Sequence, residues 1–125
     1  MNIDREFVEK LDAGELNRLI GEHVMGWRNG RSEYHSQFSY TIHNTFDPSN
    51  VWQNTLSVIG AIRGSMTVNI QFDQDGVVCF ITPIGQVTDL SNHRVYWLYG
   101  RDVSLVVCRT ALWAVCAEKH LGEQS

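Results

Sequence analysis

Apolar residues recur at intervals of three to five from Phe7 through Leu11, Leu16, Leu19 and Ile20 to Val24, the spacing of one helical face. A helix is expected over residues 4–25, bent or split in two near Gly14, with Gly26 as its stop. Residues 28–45 are polar, with Asn29-Gly30 as a turn and a short strand expected over 38–42. Asp47 suits an N-cap and Pro48 the first position of a second helix carrying Val51, Trp52, Leu56, Ile59 and Ile62. Gly64 closes it. The period then changes to two: Met66, Val68, Ile70 and Phe72 alternate with Thr67, Asn69 and Gln71, and the pattern returns over 77–82 after Asp75-Gly76. That is a hairpin. Residues 93–99 read as a third strand. A last helix is expected from Asp102, as its cap, to about His120. Helices flanking an antiparallel sheet of three to four strands give an α+β fold, a sandwich of a single domain over residues 1–125.

The last helix is apolar almost all round. From Val103 to Ala117 the only ionisable side chain besides two cysteines is Arg109. At about 100° per residue it falls between Leu105 and Trp113 on the wheel, beside Leu112 and Cys116. A helix with no polar face is buried on more than one side, which a chain of 125 residues arranges with difficulty. A second subunit would cover the outer side, so a homo-oligomer is expected, a C2 dimer or a multiple of it. Arg109 itself needs a partner, because an unpaired buried charge costs several kcal/mol. Two partners fit: a carboxylate from another element, or a phosphate gripped by the guanidinium fork.

Composition narrows the function classes. Apolar residues at 43% and charged residues at 19% are a globular balance. A net charge of −4 removes the basic footprint that duplex nucleic acid requires. It leaves room for a few arginines to hold a small anion. Three cysteines, none in a C-x-x-C, read as reduced thiols of a cytosolic protein. The polar first ten residues carry no signal-peptide pattern, and no apolar run is long enough to span a membrane.

Catalytic signatures are missing. There is no G-x-S-x-G, no H-E-x-x-H and no phosphate-binding glycine loop. Glu33, His35 and Asp47 have no spacing that aligns them for acid–base work. Cys116 and His120 would share a helix face, but the remaining histidines are scattered, so no metal and no cofactor are expected. Trp27-Arg28 follows a helix end, where Trp27 stacks on a base and Arg28 meets a phosphate, or Trp27 is core and Arg28 solvated. Asn92, before the third strand, is either an adenine reader or an ordinary turn residue.

Three blocks carry a resemblance. "LNRLIGEHVMGW" (16–27), "FSYTIHNTFDPSNVWQNTLSVI" (38–59) and "DVSLVVCRTALWAV" (102–115) together resemble the small phage proteins of the ABA-sandwich type, in the right order and over nearly the whole chain. "VMGW" and "VCRTAL" are the specific parts. Within that group the chain is similar to the phage Thoeris anti-defence sponges. The resemblance implies binding, without cleavage, of glycocyclic ADP-ribose, a cyclised nucleotide signal; some of these sponges also take cyclic trinucleotides at a separate site in a hexamer. It implies action in the cytoplasm of an infected bacterium. It assigns ligand contacts to Arg28, Arg109, the aromatic Phe80 and Asn92. From a different class comes a second expectation: a protein–protein module, such as a phage accessory subunit, with Tyr34, Phe38, Tyr40 and Phe46 as anchors.

Overall fold

The computed structural model describes residues 3–27, 46–84 and 94–124. Its elements are α1 (Arg5–Lys10), α2 (Ala13–Leu19) running into a π-helical turn (Ile20–Val24), α3 (Trp52–Ile62), strands β1 (Met66–Phe72), β2 (Val77–Pro83) and β3 (Tyr96–Gly100), and α4 (Val103–Gln124). The fold is α+β, with a three-stranded antiparallel sheet in the order β1-β2-β3 packed against helices.

The N-terminal apolar stripe becomes two helices, and the break falls at Leu11-Asp12 rather than Gly14. Asp12 is the reason. Its carboxylate accepts the Glu15 amide at 2.8 Å and caps a new helix, as Asp4 caps α1 through the Phe7 amide at 2.9 Å. The break leaves the Leu11 carbonyl outside both helices. Gly26, at φ +74°, ends the π-helical turn in the left-handed region that glycine adopts without strain.

The second helix starts later than its Asp-Pro signal. Residues 48–50 form a turn, and α3 begins at Trp52. Asp47 is drawn into a tertiary bracket instead of a cap. Its carboxylate accepts Asn17 Nδ2 of α2 at 2.7 Å and Ser49 Oγ at 3.2 Å, while its own amide donates to Asn54 Oδ1 at 2.8 Å. The buried Pro48 carbonyl takes Thr55 Oγ1 at 2.7 Å and Cys108 Sγ of α4 at 3.2 Å. A cap satisfies one helix end; this bracket ties three helices together.

The hairpin forms where its alternation places it, with Val68 opposite Ile81 and Ile70 opposite Cys79. Asp73 closes the connection by accepting the Asp75 and Gly76 amides at 2.8 and 2.7 Å. A Cβ on Gly76 would stand 2.4 Å from the Gly100 carbonyl oxygen, so the approach of β3 to the hairpin requires glycine there.

Val77, Cys79 and Ile81 of β2 and Tyr96 and Leu98 of β3 are buried on one sheet face. Across them lies α4, which also packs against α1, α2, the π-helical turn and α3. Val107, Cys108, Thr110, Ala111, Leu112 and Ala114 of α4 are fully enclosed. The apolar circumference of this helix is thus covered from within one chain. That corrects the physical ground for expecting a second subunit over it: a central helix, ringed by sheet and helices, needs no partner copy. Among the described residues, no helix is long and apolar enough to cross a membrane.

Candidate functional site

Arg109 projects from α4, whose first turn is capped by Asp102 as its sequence predicts, through the Leu105 amide at 3.2 Å. Its Nη2 donates to the Leu11 carbonyl oxygen at 3.0 Å. Its Nε is buried and has no hydrogen-bond partner. Among the described residues Arg109 forms no ion pair. The expected carboxylate partner is replaced by the main-chain oxygen that the α1–α2 break sets free. A hydrogen bond to a charged donor contributes about 1.5–3 kcal/mol, yet it leaves part of the guanidinium unanswered. Beside it lies a cleft of about 150 Å³, lined by Glu9, Tyr99, Arg101, Asp102, Leu105 and Arg109. That volume accommodates a phosphate-sized group, not a whole nucleotide.

A larger cleft of about 580 Å³ lies towards the other end of α4, walled by His23 and Met25 after α2, Met66, Ile84, Glu118 and Lys119. Its volume is within the range of small-molecule sites. Ten residues separate Arg109 from Lys119, about 15 Å along a helix, so the two clefts are distinct. Lys119 Nζ donates to the His23 carbonyl at 2.7 Å, satisfying an oxygen of the π-helical turn. Glu118 is clasped by Arg94, Nε at 2.7 Å and Nη2 at 2.9 Å, and accepts the Tyr96 hydroxyl. The Arg94 hydrogen bond holds the Glu118 carboxyl below its ordinary range, and burial pushes the Tyr96 phenol up. A carboxyl lowered on folding stabilises above its unfolded pKa, about 4.3, and loses that contribution as pH falls through the lower folded value. The partly exposed clasp is expected to contribute about 1 kcal/mol at neutral pH. Urea melts of the natural chain and Glu118→Gln should differ by that amount at pH 7 and converge as the pH falls below the ordinary carboxylate range.

The other residues expected at a ligand disperse. Phe80 is half-buried in β2, opposite Asn69 and Trp97, on the sheet face turned away from α4. It lines neither of the two clefts along α4. Trp27 is half-buried and meets Phe46 edge-on, ring centres 4.7 Å apart. That contact also draws Phe46 out of the expected set of exposed anchors. Arg28, Asn92, Tyr34, Phe38 and Tyr40 lie outside the described residues. Trp97 and Tyr99 form an exposed aromatic pair on the outer sheet face, with the Arg5 guanidinium 4.4 Å over the Trp97 ring.

The thiols are free. Burial pushes Cys79 up to about 12 and raises Cys108 and Cys116 as well, so none is a thiolate nucleophile at neutral pH. Among the described residues no group of three or more His, Cys, Asp or Glu side chains could hold a metal ion.

Two features escaped the periodicity. One is the Leu11 carbonyl as the answer to Arg109; the Asp12-x-x-Glu15 spacing, a helix-start signature, was the available signal. The other is the Glu118 clasp, whose partners lie 22 and 24 residues apart and carry no local mark. Compared with family models, with curated proteins and with solved structures, the chain has no match.

Proposed function

We propose that this protein is a binding protein, not an enzyme, that sequesters a small cyclic nucleotide signal such as glycocyclic ADP-ribose and returns it uncleaved. In this reading it is a phage anti-defence factor working in the cytoplasm of an infected bacterium. One observation carries the ligand chemistry: Arg109, whose buried Nε has no partner, lines a cleft sized for a phosphate, on a wall where Arg101 offsets the carboxylates of Glu9 and Asp102. A phosphate oxygen is the acceptor that fits a guanidinium in such a place. The adenine and ribose would extend out of the cleft, whose volume of about 150 Å³ does not hold a whole nucleotide. The homo-oligomer, a dimer or a trimer of dimers, belongs to the same proposal. With α4 covered from within, its contact surface lies elsewhere, and light scattering on the eluted protein reads its size.

Thermal melting of the full chain tests the proposal, with glycocyclic ADP-ribose and with cyclic trinucleotides. At 100 times its dissociation constant, a one-site ligand should add about 2.7 kcal/mol. Ligand recovered intact after denaturation excludes turnover. No shift with any of these nucleotides removes the reading.

A second reading, an interaction module for a host or virion protein, draws on the exposed Trp97 and Tyr99. Aromatic anchors of this kind dominate protein interfaces. Trp97→Ala would then abolish partner capture and leave nucleotide-dependent melting unmoved.

A further inference from the structure

Two arginines of this chain present the same edge, Nε and Nη2, and fill it differently. Arg94 uses both nitrogens on the two carboxylate oxygens of Glu118, at 2.7 and 2.9 Å. Arg109 uses half: Nη2 donates to the Leu11 carbonyl at 3.0 Å, and the buried Nε donates to nothing. As placed, the Leu11 carbonyl meets one of the two positions, whereas the Glu118 carboxylate meets both. The half-filled edge is a built-in preference for a two-oxygen anion.

The oxygen that occupies the edge belongs to the end of α1. This six-residue helix is too short to hold itself. It is docked by the fully buried Val8, by Arg5 over the Trp97 ring, and by the Arg109 hydrogen bond at its C-terminal end. Glu9 of the same helix lines the cleft that Arg109 lines. Helix and cleft therefore share one guanidinium.

We propose that Arg109 is an exchangeable latch: an oxyanion that takes its Nε–Nη2 edge displaces the Leu11 carbonyl, so that ligand binding loosens α1. This rests on the anion-binding reading of Arg109 above. The exchange replaces a neutral acceptor by a charged one and fills the bare Nε, which drives it forward. The coupling is reciprocal, so loosening α1 strengthens anion binding by the same factor.

Hydrogen exchange of the full chain tests the latch, alone and with inorganic phosphate or glycocyclic ADP-ribose, binding being read by calorimetry on the same samples. The Val8 and Leu11 amides should exchange several-fold faster when a probe is bound, with the fully buried turns of α4 unchanged or slower. Arg109→Lys keeps one donor for the Leu11 carbonyl but has no fork; its α1 protection should stay near native and ignore the probe. Arg109→Ala should speed α1 exchange several-fold without any probe. Calorimetric binding with α1 protection unchanged or increased overturns the latch and leaves the binding reading standing. No heat with either probe ends both. Unchanged α1 exchange in Arg109→Ala overturns the latch independently of ligand.

Discussion

Leu112→Ala is expected to lower the unfolding free energy by about 3 kcal/mol, within the 2–5 kcal/mol typical of a fully buried leucine. Leu112 has no exposed surface and sits in the part of α4 enclosed by the sheet and the other helices. Cys108, one turn before it on the same face, is equally enclosed, so the truncated site lies inside the packed core. The loss is a transfer cost plus a cavity cost. With an unfolding entropy of about 2.1 cal/mol/K per residue, a chain of 125 residues should melt about 11 °C lower. Leu121→Ala is the control. Leu121 is 40% exposed on the last turns of the same helix, and its truncation should move stability by no more than about 0.5 kcal/mol. Equal effects of the two substitutions would mean that α4 is not the enclosed centre of the fold.

Asp47→Ala separates a cap from a bracket. As a helix N-cap, the side chain would contribute about 1 kcal/mol. As the acceptor that joins Asn17 of α2 to the turn before α3, it should contribute about 2–3 kcal/mol, because its loss strands the buried Ser49 hydroxyl and the Asn17 amide. The double substitution with Asn17→Ala provides the decisive measurement. Asn17 also accepts the Ser49 amide at 3.0 Å, so the two residues work on one turn. Their effects should fall short of additivity by about 1 kcal/mol in denaturant melts. Strict additivity with a loss near 1 kcal/mol would return Asp47 to the role of a simple cap.

Both substitutions bear on how far the chain could be read in one dimension. Several local signals agree with the structure, though the helix break expected near Gly14 was set by the Asp12 cap instead. The Met66–Phe72 alternation became a strand, the hairpin turns at Asp75-Gly76, and Asp102 caps α4. Where two signals compete, the tertiary partner wins. Asp47 leaves the cap role because Asn17, thirty residues earlier, offers a stronger use for its carboxylate. Of the candidate site, Arg109 was legible as an oddity, since one guanidinium in a long apolar run requires explanation at any spacing. Its acceptor was not legible. A main-chain oxygen has no letter of its own, and this one became available only through a helix break at Leu11. Phe80 shows the same limit from the other side. Alternation tells that it faces away from Cys79 and Ile81, but not that α4 lies on their face.

By itself, then, the sequence determined the element types, the antiparallel hairpin and the apolar character of the last helix, because each depends on periods and caps a few residues long. Only the tertiary structure decided that this helix is enclosed by its own chain, that Arg109 is held by α1, and that two separate clefts lie along α4. Those outcomes depend on which surfaces meet. Contacts between residues as far apart as Leu11 and Arg109 are set by the packing of the whole core, not by the spacing of any stretch of it.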